Sequence, residues 1–186
     1  MSGQPWKRAP RALHRDFLQA HVDHEARALV LSNIGACLSA LGRQQEAEDH
    51  HRQAILADPE HLGPRWNLFA NLHGQGRSTD ALAVLDHALE LTSLEQVDGG
   101  NIHAYRSELL LQLGRRCEAL AAIDASLVSA PDSPDRLFTR GKILVELGWL
   151  VQGRVVLLRV LELAPGFEAA RRLLLRISEA RGVERN

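Results

Sequence analysis

The chain has 186 residues, enough for one compact domain or a short array of repeats with a buried interior. Apolar residues make up 45 % and charged residues 24 %, a balance that favours a folded, soluble protein. A formal net charge of -1 at pH 7 argues against broad phosphate binding, which needs a basic face, and no apolar run approaches the roughly 20 residues of a membrane span.

Residues 1–10 are polar and carry Pro5 and Pro10, so a loose arm is expected, with Trp6 packing back on the body. From Arg11 to about Asp23, Leu13, Phe17, Ala20 and His21 recur at helical spacing. That segment reads like the second helix of a helical pair, a half-unit over 11–27. First helices are then expected at 28–41, 62–74, 100–113 and 134–147, and second helices at 44–57, 78–91, 116–129 and 150–163. A last helix over 167–181 sets Leu173, Leu174, Leu175 and Ile177 beside Arg171, Arg172, Arg176 and Arg181, the pattern of a terminal cap.

The pairs recur in phase. Small turns hold Gly42, Gly76, Gly114 and Gly148, at intervals of 34, 38 and 34 residues, with four extra residues placed in Thr92–Gly100. A glycine there ends a first helix in left-handed backbone at little cost. Five residues past each turn glycine stands a small residue (Ala47, Ala81, Ala119, Gly153) that lets two helices approach closely. Pro59, Pro131 and Pro165 close three of the four units, and Ser93 replaces proline in the second.

These features resemble the tetratricopeptide repeat over about Ala28–Phe167. Unit one carries the pattern best, through Leu31, Ile34, Gly35, Leu38, Ala47, Ala54 and Pro59, with His51 in place of an aromatic. Arg106, Ser107 and Arg140 depart from it. The resemblance implies an all-α fold: an α-solenoid wound as a right-handed superhelix, with repeats 28–61, 62–95, 100–133 and 134–167 in a single domain over 11–186. It further implies that first helices line a concave groove for a peptide or protein segment. The groove positions are then Ser32, Asn33 and Ala36; Trp66, Asn67, Ala70 and His73; Asn101, Tyr105 and Glu108; and Asp135, Phe138, Thr139 and Lys142. Of these, Asn33, Trp66, Asn67, His73, Asn101, Tyr105, Glu108, Phe138 and Lys142 are the candidate binding residues. Rings offer contact area at small entropy cost, and an amide can pair with a backbone donor and acceptor together. The competing reading for Trp66, Tyr105 and Phe138 is packing between helices.

One subset of the family clamps the C-terminal carboxylate of heat-shock chaperones with Lys, Arg and Asn. The matching positions here are Ser32, Ala36, Asn67, Asn101 and Tyr105, and only Asn67 agrees, so the charge-assisted donors are missing.

All nine histidines lie at or before His103. His21 and His24, and His50 beside His51, lack the three or four convergent ligands of a zinc site. His51 reads as an interhelical packing residue and His50 as solvent-facing. Neither a Gly-x-Ser-x-Gly elbow nor a phosphate loop is present. Cys37 and Cys117 are expected as buried free thiols. MSGQPWKRAP holds no apolar core of the kind a secretory leader needs, so a reduced cytoplasm is the expected location.

The expectation is a non-enzymatic protein-interaction adaptor without a cofactor or metal, acting on neither nucleic acid nor membrane. Two alternatives stand beside it: a cytoplasmic chaperone for a secreted or assembling client, and a helical accessory subunit of an enzyme with a His-rich metal site. Self-assembly into a homo-oligomer through the stack ends, by Phe167 or the opening half-unit, is a further expectation.

Overall fold

The four turn glycines take left-handed backbone, with φ of 77° at Gly42, 72° at Gly76, 75° at Gly114 and 81° at Gly148. An L side chain enters that region at a cost of about 1–2 kcal/mol. Around three of them the helix end folds over its own last carbonyls. Arg43 N donates to Leu38 O at 2.9 Å, Arg115 N to Leu110 O at 2.8 Å and Trp149 N to Leu144 O at 2.9 Å. The arginine after the glycine then pairs with an acid three residues on: Arg43 with Glu46, Arg77 with Asp80, Arg115 with Glu118. Those hydrogen bonds hold the Glu46 and Glu118 carboxyls below the ordinary range. The pairs are exposed and screened, so they shape the turn more than they stabilise it.

The structure is a computed structural model that describes the backbone of residues 11–91 and 97–183 and the side chains of 23–91 and 99–179. Every regular element among the described residues is helical. The order is α1 (Arg11–Ala40), α2 (Gln44–Ala57), α3 (Leu62–Gly74), α4 (Ser78–Leu89), α5 (Val97–Gln112), α6 (Arg116–Ser129), α7 (Pro134–Glu146), α8 (Leu150–Leu163) and α9 (Glu168–Val183). The chain divides into two units, Met1–Gln75 and Gly76–Asn186, where one domain was expected.

In the first unit α1 packs on α2 and α3, and α2 on α3. Ala28, Leu38, Ala47, Ala54, Leu68 and Leu72 are buried there. Gly35 lets α1 approach α2 because the His51 ring lies flat over it. A Cβ added at Gly35 would stand 2.5 Å from His51 Cε1 and 2.7 Å from Nδ1. His51 is 1 % exposed, in keeping with the packing role expected of it.

In the second unit α4 to α9 pack in succession. The glycine-to-large pairing recurs with Gly141 under Leu157, where a Cβ would stand 2.9 Å from Cδ2. Ser107 fills the same small position and is buried, its hydroxyl donating to Ala119 O at 2.9 Å. The two arginines that depart from the repeat pattern sit at equivalent places. Arg106 Nε donates to Asp86 Oδ1 at 2.6 Å, and Arg140 Nε to Asp124 Oδ1 at 2.6 Å, each tying a first helix to the second helix before it. Leu157, Val160, Ala170 and Ile177 form the buried cluster that α9 closes.

Several expectations are revised. Arg11–Ala40 is one helix, so 11–27 is not a separate half-unit helix; no Gly or Pro between Arg11 and Ala28 breaks it. The third first helix, expected to start at 100, begins at Val97, inside the stretch where the four extra residues were placed. Cys37 and Cys117 are exposed, not buried, and Ile34 is 41 % exposed. Phe167 is half-buried, packed on the α8–α9 cluster instead of presenting an open edge. His50 is half-buried, its Nδ1 2.8 Å from Glu46 O. The arm over 1–10, Ser93 and the side chains of Leu13, Phe17, Ala20, His21 and Arg181 lie outside the described residues.

Candidate interaction surface

In the first unit, α1 and α3 lie side by side, and polar side chains stitch them together. Asn67 Nδ2 donates to Ser32 Oγ at 2.9 Å. One turn on, Asn71 Nδ2 donates to Ser39 Oγ at 2.9 Å and to Gln44 Oε1 at 2.6 Å. Gln75 Nε2 donates to Asn71 Oδ1 at 2.6 Å, and Gln44 Nε2 to Ser39 O at 3.2 Å. Asn71 is 6 % exposed, so its amide is both desolvated and satisfied, which locks its orientation.

Beside this network opens a cleft of about 300 Å³, walled by Ala36, Asn67, Ala70 and Gly74 with Ser39, Gln44, Asn71 and His51. No charged side chain lines it. Small residues on α1 and α3 keep it open, and the amides give its wall hydrogen-bonding groups without net charge. Asn67 spends one donor on Ser32 and retains a second N–H and its Oδ1. Next to Asn67 in the chain, Trp66 is 36 % exposed, its ring 5.2 Å from that of Phe69, which in turn stacks on His73 at 5.5 Å.

Asn33 does not join this group. It is exposed on another side of α1, with Val30, Ile34, Cys37, Leu38 and Leu41. Ser32, expected to face a groove, is 5 % exposed beneath Asn67. In the second unit Asn101 Oδ1 accepts from Arg136 Nη2 at 2.7 Å, bridging α5 to α7. Tyr105 is 40 % exposed, and Glu108 and Lys142 are exposed. Phe138 is half-buried, its ring centroid 5.1 Å from that of Phe167 and packed on the α8–α9 cluster. The network of Ser39, Gln44 and Asn71 was not foreseen. Its one sequence signal is Asn71 itself, polar where the equivalent Leu109 and Ile143 are apolar.

His51 forms the cleft floor with no hydrogen-bond partner for its buried Nδ1. Burial, and secondly the neighbouring His50, push its pKa below the usual 6.5. The folded state therefore favours the neutral ring, and the unfolded chain binds the proton more readily. Stability from this group is complete above about pH 6.5 and falls as pH drops from there toward the lower folded value. Equilibrium urea unfolding between pH 8 and pH 5 is expected to show a steeper loss for the wild type than for His51→Leu. Leucine is the residue at the equivalent Leu85 and Leu157.

Among the described residues no group of three or more His, Cys, Asp or Glu could hold a metal ion, and no helix is long and apolar enough to cross a membrane.

No protein-family model matches the sequence, and no curated protein matches it. Solved structures do match in three dimensions. MamA from Desulfovibrio magneticus RS-1 superposes with a TM-score of 0.74 at 17 % identity, over 84 % of this chain and 86 % of that one. YrrB, described as a TPR protein with an unusual peptide-binding site, gives 0.71 at 16 % identity, over 89 % and 84 %. A tetratricopeptide repeat protein from Parabacteroides merdae gives 0.74 at 21 % identity, over 88 % of this chain and 61 % of that chain. The likeness is one of fold. The chain has the all-α tetratricopeptide-repeat solenoid fold that its turn glycines and small residues implied.

Proposed function

We propose that the protein is a non-enzymatic interaction scaffold that holds an extended segment of a protein partner on the first-helix face of its first unit. The observation that carries this reading is the uncharged amide cleft lined by Asn67, whose neighbour in the chain, Trp66, is part-exposed. Asn67 has the donor and acceptor needed to pair with a peptide backbone, Trp66 supplies contact area, and His73 braces Trp66 through Phe69. Tyr105, Glu108 and Lys142 supply the corresponding surface of the second unit, with Asn101 held by Arg136 at its edge. Phe138 contributes through its packing on Phe167. The two free thiols agree with a cytoplasmic setting.

A short segment bound in this way has a dissociation constant of roughly 1 μM, about 8 kcal/mol at the standard state. Selection of a random-peptide library on the full chain supplies the probe. Trp66→Ala and Asn67→Ala are each expected to weaken the selected peptide about tenfold or more. The helical signal stays unchanged, and the melting temperature falls by about 2 °C or less for Trp66→Ala and by up to about 5 °C for Asn67→Ala, which also removes the bond to Ser32. Equal loss of stability and binding would assign both residues to packing, and failure to select any peptide would remove the reading.

A further inference from the structure

The α1 helix leaves bare a face that each later first helix covers. Counting by repeat, Ile34 and Cys37 correspond to Leu68 and Asn71 on α3, to Arg106 and Leu109 on α5, and to Arg140 and Ile143 on α7. In those helices the site lies against the preceding second helix. α2 packs on α3, α4 on α5 and α6 on α7, with Arg106 and Arg140 reaching back to Asp86 and Asp124. Asn71, Leu109 and Ile143 are accordingly 6 %, 1 % and 0 % exposed. On α1 the same stripe is open: Val30 is 57 % exposed, Ile34 41 %, and Cys37 is exposed; Leu41, 72 % exposed, extends it at a position that is also exposed in Gln75 and Leu113. With Asn33 and Leu38 these residues line a shallow depression of about 370 Å³. Residues 11–27 do not turn back to cover it, because they continue along the axis of α1.

We propose that this face is a self-association surface, covered by α1 of a second copy packed antiparallel about a two-fold axis between Gly35 and Ala36. An isologous contact requires a patch complementary to itself. The stripe meets that requirement, since positions 30, 34, 37 and 41 are spaced by four, three and four and read the same in either direction. The two-fold sets Val30 against Leu41 of the second copy and Ile34 against Cys37 of the second copy. No charged side chain lines the stripe, so the symmetry brings no like charges together and offers no ion-pair partner to a charged foreign helix. Antiparallel packing is also the direction in which the second helix of one repeat meets the first helix of the next, joined by a short turn. At a 1.5 Å rise the stripe is roughly 16 Å long, well short of the ~800 Å² per partner of a standard interface. The dimer is accordingly weak, with a dissociation constant on the order of 10–100 μM.

Light scattering of the full chain from about 5 to 300 μM brackets that range. A monomer passing to a dimer is expected, and Ile34→Glu, at an exposed site, shifts the midpoint upward at least tenfold with an unchanged circular dichroism spectrum. Leu56→Glu, 80 % exposed on α2 outside the stripe, leaves the midpoint in place. In the Cys117→Ser variant a short bismaleimide joins two chains through Cys37, which reads the contact without altering the stripe. A monomer at every concentration, a dimer that survives Ile34→Glu, or a dimer that Cys37 does not cross-link would each overturn the proposal.

Discussion

Gly35→Ala lowers the stability of the protein by about 2 kcal/mol, a fall of roughly 4–8 °C in melting temperature for a chain of this size. Alanine has the better helix propensity, by about 1 kcal/mol, so a solvent-facing glycine in a helix would gain from the change. At Gly35 the new methyl meets the His51 ring at 2.5 Å, and that ring, 1 % exposed, must leave its packed place to make room. The clash therefore outweighs the propensity. Two controls isolate the cause. Gly74→Ala, with nothing within 4 Å of the added carbon, loses nothing. In a His51→Ala background the sign reverses, and Gly35→Ala becomes neutral or stabilising by up to about 1 kcal/mol. Thermal unfolding of the four variants of this cycle checks it. An additive cycle would mean that glycine and ring do not meet.

Leu157→Ala costs more, about 3–4 kcal/mol. Leu157 is fully buried, sits over Gly141 and anchors the cluster with Val160, Ala170 and Ile177 that α9 covers. Its loss leaves a void that Gly141 cannot fill, and neighbouring helices collapse only in part. Val155→Ala, on the same helix but 63 % exposed, stays within about 0.5 kcal/mol of the wild type. Urea midpoints at constant slope measure both. A Leu157→Ala cost below about 1 kcal/mol would mean that α9 does not seal this cluster.

The fold was readable because its determinants are local and repeated. A glycine in left-handed backbone, a small residue five positions on and a closing proline each act within one turn of chain. The expected bounds 44–57, 62–74, 116–129 and 150–163 accordingly return unchanged as α2, α3, α6 and α8. What the sequence concealed depends on partners far along the chain. Asn71 is held by Ser39 and Gln44, 32 and 27 residues away, and no local pattern records that amide network. Cys37 occupies a position that is buried in later repeats, and among the described residues no second helix packs against that side of α1. Arg106 and Arg140 looked like departures from the repeat. Each is a variant of it, the apolar contact being exchanged for an ion pair to Asp86 or Asp124. Asn33 was placed with Asn67 by repeat position alone; Asn67 reaches back to Ser32 on the neighbouring first helix, while Asn33 is exposed beside Val30 and Ile34.

Backbone amide chemical shifts of the full chain, titrated with a library-selected peptide, test most directly whether partner capture lies on the first-helix face of the first unit. Perturbations gathered on Ala36, Asn67, Ala70 and Gly74, saturating at roughly micromolar concentration, are the predicted result. Perturbations that spare these four and gather on the outer faces of α2 or α8 would contradict it.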